Sequence, residues 1–311
     1  MHPSTVSTAR PSRRTLLGAA ACAVGAGTAL AVGAPPAAAA ATAAPPAVTR
    51  RLRRLEARHG ARLGVYGLDL ATGRTVTHRA AERFPMCSVW KPLAAAAVLR
   101  DLDRHGEVLA RRIRYTEDDL VTYSPITGTP QHLADGMTVE ELCDAALRYS
   151  DNTAANLLLR QLGGPEAITR FCRSTGDTTT RLDRWETALN SAEPWRVTDT
   201  TSPRAIAGTF ARVTVGHALT GRDRRRLTDW MLHNTTRTRS FGAGLPDDWA
   251  IADKTGSGAY GTNNDVGLAW PAGPHRGPLV LAVLTTKHTQ DAQPDYPLVA
   301  SAAEVLADAL T

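Results

Sequence analysis

Strand signals stand at the two ends of this chain, and a long helical pattern fills the space between them. Arg62 to Asp69 alternates around Leu63, Val65 and Leu68. Ala71-Thr72-Gly73-Arg74 is a turn, and Thr75 to Arg79 returns as a second strand, so the pair reads as a β-hairpin. Strand patterns resume at Trp249 to Lys254, Val266 to Trp270 and Leu279 to Lys287, with turns at Gly256-Ser257-Gly258 and Pro271-Ala272-Gly273. An amphipathic helix over 46–59 carries Leu52 and Leu55, and Val299 to Leu310 closes the chain as another. From Ser88 to Leu232 the pattern is mostly helical, broken by Pro and Gly. A sheet face must be buried against a further layer, so the two ends form one sheet domain with the helical middle inserted. Gly176 to Pro203 stands out as irregular, and loops beyond about 12–15 residues are usually functional or disordered. There are no internal repeats.

Composition narrows the partners. The 311 residues allow two domains or one large one. With 43% apolar and 21% charged residues, wholesale disorder is excluded. Lys and Arg total 36 against 30 Asp and Glu, aromatics are 5%, and no strongly basic block occurs, so no nucleic-acid partner is expected. Four cysteines without C-x-x-C spacing make neither a disulfide scaffold nor a zinc site. No metal and no cofactor are expected.

Residues 1–44 read as an address. They hold no acidic residue, and Arg13-Arg14 precede Leu16-Leu17 and a weakly apolar run to about Gly33. A small-residue tract, Ala37 to Ala44, follows between prolines. Basic, apolar, then small is the order of an export signal, and paired arginines before Leu-Leu resemble the twin-arginine type. The chain is therefore expected to be secreted, with the signal cleaved and no permanent membrane anchor. A lipid anchor on Cys22 is the lesser alternative. Cleavage leaves Cys87, Cys143 and Cys172, an odd set with at least one free thiol. A Cys143–Cys172 bridge is left open.

Four short motifs carry chemistry. Ser88-Val89-Trp90-Lys91 opens the helical run Leu93 to Leu99. Positions i and i+3 share a helix face about 5–6 Å apart. There the positive helix end favours developing negative charge, and an amine can activate a hydroxyl. Alone, the motif is equally an ordinary helix start. Ser150-Asp151-Asn152 precedes the apolar helix Ala154 to Leu162, where all three residue types are good caps. Ser150 can pass a proton, and Asn152 offers a donor and an acceptor for a substrate amide. Lys254-Thr255-Gly256, followed by Ser257 and Gly258, ends a predicted strand. The lysine and hydroxyls make an anion-binding wall that glycine lets a ligand approach. Glu186 and Asn190, in Arg184-Trp185-Glu186-Thr187-Ala188-Leu189-Asn190, are four apart and can share one water.

Together, in this order, the motifs S-x-x-K, S-D-N and K-T-G resemble those of class A serine β-lactamases and penicillin-binding proteins. The resemblance to class A covers nearly all of residues 50–310. It is supported by Tyr123-Ser124-Pro125, Asp135-Gly136-Met137-Thr138, Asp151 to Asn156, and Asp199-Thr200-Thr201-Ser202-Pro203. It implies an α+β fold: a five-stranded antiparallel sheet covered by helices (45–80 and 232–311), with a large all-helical domain inserted (81–231, including the 176–203 loop). The active site would lie between the two.

The resemblance also implies roles. Ser88 attacks the lactam carbonyl, and the Ser88 and Ser257 amides form an oxyanion hole. Lys91, or Glu186 through a water, takes the Ser88 proton. Ser150 relays a proton to the ring nitrogen. Lys254, Thr255 and Ser257 face the substrate carboxylate, Asn152 binds the acylamido side chain, and Tyr123 flanks the mouth. Glu186 and Asn190 hold the water that hydrolyses the acyl-enzyme, on a loop closed by an Arg184–Asp199 ion pair. The expected substrates are small β-lactams, chiefly penicillins, with cephalosporins permitted by Ser257 beside Gly258, and the family default is a monomer.

The chain also departs from the family pattern. Asn263 and Ser240 occupy the two positions from which an arginine usually reaches the substrate carboxylate, although Arg237 and Arg239 are close by. Glu193 stands where an apolar residue is usual. Cys87 is expected buried behind Ser88, without a partner. The alternative reading is a D-Ala-D-Ala peptidase or penicillin-binding protein, which shares the first three motifs but not the Glu186–Asn190 loop. A non-catalytic β-lactam sensor is a third.

Overall fold

The two ends of the chain meet in one sheet. The computed structural model describes residues 46–273 and 277–311. The proposed export signal, with Arg13, Arg14 and Cys22, lies outside the described residues. Five strands build the main sheet: β1 (Arg62–Asp69), β2 (Thr75–His78), β3 (Ala250–Ser257), β4 (Asn263–Trp270) and β5 (Leu279–Thr286). They pair antiparallel in the order β2-β1-β5-β4-β3. The first strand thus lies against the last, with Arg62 opposite Thr286 and Asp69 opposite Leu279.

Alternation along β5 explains how the sheet is covered. Leu281 and Val283 join Leu63 and Val65 under two helices, α1 (Pro46–His59) and the closing helix Tyr296–Leu310. Val280, Ala282 and Leu284 point the other way, into a core with Ile206, Phe210 and Leu227 from the helical middle. A strand buried on both faces needs apolar residues at every position, which is why β5 begins Leu-Val-Leu-Ala-Val-Leu.

The middle stretch supplies α2 (Lys91–Ala97), α3 (Val139–Arg148), α4 (Asn152–Leu162), α5 (Pro203–Thr214) and α6 (Gly221–Leu232), besides other helices; Tyr296–Leu310 is α7. Thr138 and Glu141 cap α3 reciprocally, and the Asp295 carboxylate accepts the Leu298 amide at the start of α7. Two small ladders interrupt the helices: Phe84–Pro85 with Thr200–Thr201, and Arg112–Ile113 with Met137–Thr138. Among the described residues no helix is long and apolar enough to cross a membrane.

Several boundaries differ from the sequence reading. β3 continues through Ser257 instead of ending at Lys254, because β4 starts at Asn263 and pairs with it directly. The return is made by Gly258–Thr262, where the Gly258 amide donates to the Thr262 carbonyl. The segment 176–203 is not structureless: a 3₁₀ turn, Ala188–Ser191, and the short strand Thr200–Thr201 lie within it. No Cys143–Cys172 bridge forms; Cys87, Cys143 and Cys172 are all buried as free thiols. Burial pushes each thiol up, which keeps it protonated and unreactive toward exchange.

Candidate active site

Ser88 does not open an α-helix. Cys87–Trp90 is a 3₁₀ turn, and α2 begins at Lys91 with Pro92 tolerated in its first turn. A 3₁₀ turn repeats every three residues, so Ser88 and Lys91 still fall on one side. Cys87 precedes them with φ +46°, in the left-handed region, and its side chain is buried. Tyr123 (φ +65°) and Ser150 (φ +58°) share that region. Non-glycine residues there cost roughly 1–2 kcal/mol each, and such strain clusters at functional sites.

Lys91 is fully buried. Its Nζ donates to the Ser150 carbonyl at 2.8 Å and to Asn152 Oδ1 at 2.7 Å. Ser150 Oγ and Glu186 Oε1 each lie 3.4 Å away. Burial pulls the Lys91 amine down, while Glu186 and Asp151 oppose the shift. An amine in this setting moves between charged and neutral more easily than one in water.

The Ser150-Asp151-Asn152 turn divides its labour. Asp151 is the cap of α4, accepting the Ala154 amide at 2.8 Å, and it also holds the Ile126 and Thr127 amides. That leaves Ser150 and Asn152 to face the lysines. Asn152 is gripped at both ends, by Lys91 and by the Thr122 carbonyl at 2.8 Å. Lys254, equally buried, donates to Ser150 Oγ at 3.0 Å. Ser150 therefore bridges two amines. Burial, and next the charge of Lys91, bring Lys254 down to about 7.

Gly256 has a use that the sequence did not suggest. A Cβ there would fall 2.9 Å from the Ser88 amide nitrogen and 3.1 Å from that of Val89. The glycine admits the turn of Ser88 itself against β3.

Glu186 is anchored through both its side chain and its backbone. Asn190 Nδ2 donates straight to Oε2 at 2.7 Å, so the expected water is not needed to join these two. Oε1 takes the Trp90 indole N–H at 3.3 Å and lies 3.5 Å from Ser88 Oγ. The Asn156 amide grips both sides of the Glu186 backbone, at 2.8 and 3.0 Å. The loop is closed as expected: Arg184 Nε donates to Asp199 at 2.6 Å, and Asp199 also accepts the Asp183 and Arg184 amides. Glu193 finds cations in Arg196 at 3.4 Å and Arg184 at 3.7 Å, which offsets its unusual place.

These groups surround a cleft of about 320 Å³. Ser88, Ser150, Asn152 and Asn190 line it, the Thr255–Ser257 edge forms one wall, and half-exposed Tyr123 stands at the mouth. Lys91, Glu186 and Lys254 are buried just behind these surfaces. Thr236 and Tyr296 also line the cleft, and the sequence reading passed over both. The Thr236 and Thr255 hydroxyls meet at 2.5 Å. Trp90 and Asn156 fall inside the sequence motifs but carry no role there; in the fold both serve Glu186. Of the two neighbouring arginines, Arg237 turns inward to Asp253 at 3.1 Å, whereas Arg239 lies over the Tyr296 ring at 4.1 Å.

A serine flanked by a buried lysine, a hydroxyl between two amines and an anchored carboxylate is the equipment of acyl transfer with hydrolysis. Residues 47–310 match the β-lactamase enzyme family. The chain belongs to that family. It is 62% identical over 308 residues to a β-lactamase of Streptomyces lavendulae, covering 97% of this chain and 98% of that one. It is 46% identical over 264 residues to the carbapenem-hydrolysing β-lactamase KPC of Klebsiella oxytoca, covering 85% and 89%. The solved β-lactamase of Streptomyces albus G superposes with a TM-score of 0.83 at 62% identity, covering 85% of this chain and all of that one. The enzyme is a class A serine β-lactamase that hydrolyses β-lactams.

Proposed function

We propose that this β-lactamase works through a Ser88 acyl-enzyme hydrolysed by a water that Glu186 activates. The observation that carries the reading is that Glu186 Oε1 lies 3.5 Å from Ser88 Oγ and 3.4 Å from Lys91 Nζ. The Ser88 proton passes to the Lys91–Glu186 pair, which behaves as one base. The Ser88 oxygen bonds the lactam carbonyl carbon, with the Ser88 and Ser257 amides holding the oxyanion. The C–N bond then breaks, and Ser150, fed by Lys91 and Lys254, gives the ring nitrogen its proton. Glu186, steadied by Asn190, next takes a proton from water as the water oxygen attacks the ester. Ser88 leaves with a proton, and the product is a ring-opened amino acid. Lys254, Thr255 and Ser257 hold the substrate carboxylate, Asn152 the acylamido group, and Tyr123 borders the entrance.

Penicillins fit this scheme, and the hydroxyl of Ser257 beside Gly258 admits cephalosporins. The twin-arginine signal sends a folded, monomeric enzyme out of the cytoplasm, without a lasting anchor. The test is turnover of benzylpenicillin and a chromogenic cephalosporin by the protein from residue 45 onward, read together with intact mass. Many turnovers per enzyme and no stable adduct are expected. A stoichiometric, long-lived adduct without turnover would contradict the deacylation step.

A further inference from the structure

Behind the Lys254–Thr255 wall lie two carboxylates that this chemistry does not use. Asp253 on β3 and Asp265 on β4 are both fully buried. Asp253 pairs with Gly267 and Asp265 with Thr255, so the two acids are diagonal neighbours on one face of the sheet. Gly267 makes the space, since a Cβ there would fall 2.7 Å from that of Asp253.

Each acid is satisfied on one side only. Asp253 Oδ1 accepts from Arg237 at 3.1 Å. Asp265 Oδ2 accepts from the Ser240 hydroxyl at 2.6 Å and the Phe241 amide at 3.1 Å. Asp253 Oδ2, Asp265 Oδ1 and the Asn234 amide nitrogen are all buried without a hydrogen-bond partner, and the Asp265 carboxyl and the Asn234 amide both lie beside Asp253. Two bare, buried carboxylate oxygens side by side are costly, and one proton between them removes the repulsion and both defects. Burial, then the charge of Asp253, hold Asp265 well above the usual carboxylate range; burial also raises Asp253, against the pull of Arg237. The other nearby cation is Lys254, next along β3.

What the pair holds is the point. Its partners Arg237, Ser240 and Phe241 belong to one stretch, which also carries Thr236. Asn234, buried, accepts the Thr236 amide at 2.9 Å and its hydroxyl at 2.7 Å, and the same hydroxyl meets Thr255.

We propose that Asp253 and Asp265 share one proton and act as a latch that fixes residues 234–241, and so Thr236, against the carboxylate-binding end of the cleft. The two acids are positioning residues, acting through Thr236 and Thr255. The functional consequence rests on the reading that the substrate carboxylate sits at this wall.

The first test needs no variant kinetics. In the full-length protein with ¹³C-labelled aspartate carboxyls, assigned with Asp253→Asn and Asp265→Asn, the pair retains one proton at pH 7. Both carbons at the ionised shift would overturn the proposal. The second test separates the latch from the rim. Asp265→Asn keeps an acceptor for Ser240 and Phe241 and gives Asp253 Oδ2 an N–H, so KM stays within about twofold. Asp265→Leu strips both donors: KM for benzylpenicillin rises about tenfold with kcat nearly unchanged, and amide exchange over 237–242 accelerates. Wild-type exchange in that variant sinks the latch. Faster exchange with KM unmoved, and Thr236→Val equally silent, leaves the latch standing and removes the carboxylate from this wall.

Discussion

Ser88 and Glu186 are 98 positions apart in sequence, yet Ser88 Oγ lies 3.5 Å from Glu186 Oε1. The carboxylate is placed where a water between it and an acylated Ser88 would be both held and deprotonated. Glu186→Gln keeps the Asn190 and Trp90 partners roughly in place but removes the base. Acylation by penicillins is expected to persist, while deacylation slows by about 10²–10⁴-fold. Intact mass spectrometry should find the adduct on Ser88, and Ser88→Ala should show neither adduct nor hydrolysis. Unchanged turnover in Glu186→Gln would take the water-activating role away from this residue.

The Glu186 loop depends on Asp199. This almost fully buried carboxylate binds the Arg184 guanidinium and two loop amides. Asp199→Ala leaves both amides and the Arg184 Nε without an acceptor, while the guanidinium keeps Ser191 and Glu193, so the cost is about 2–4 kcal/mol with Arg184 partly exposed. Calorimetry should find Tm lowered by roughly 5–10 °C, and deacylation should suffer more than acylation. A Tm within experimental error of the parent would show that the ion pair does not close the loop.

Lys254 gives a pH dependence with a definite sign. Its amine is brought down to about 7 by burial, so it is charged below that pH and neutral above it. Attraction for a substrate carboxylate is therefore present in mild acid and fades as pH rises. KM should climb above neutrality, approaching about tenfold per pH unit. Lys254→Arg, charged throughout, should flatten the climb at some loss of fit. A KM independent of pH from 6 to about 9 would argue against the assignment.

Gly258 connects β3 to the loop. A Cβ there would come 2.7 Å from the Asn190 carbonyl oxygen and 2.8 Å from Cys87 Sγ. Gly258→Val must push Asn190, and with it the amide that orients Glu186. We expect slower deacylation, by about tenfold to a hundredfold, with the acylation rate much less affected. Stopped-flow burst kinetics separate the two steps. Equal losses in both would point to a general disturbance of the fold.

Much of this was legible in order and type. Five strands, the flanking helices and the four motifs could each be read locally, because period and turn chemistry are properties of neighbouring residues. Local pattern ends the strand at Lys254, whereas pairing with Asn263 extends β3 to Ser257 through a ladder that no single strand announces. Ser88 reads from sequence as an α-helix start although it lies in a 3₁₀ turn, because the two share the same i, i+3 signature. Thr236 and Tyr296 carry no local signal, since each is an ordinary residue in an ordinary context until the fold sets it at the cleft.

The sequence by itself determined the sheet-forming ends, the helical middle and the chemical types on offer: a hydroxyl, two amines, a carboxylate. Only the tertiary structure decided which of their atoms touch. Burial moves Lys91 and Lys254 away from ordinary amines, Asn156 and Trp90 are recruited to Glu186, and Asp253 comes to lie beside Asp265. Contact and desolvation depend on distance through space, and spacing along the chain carries no record of either.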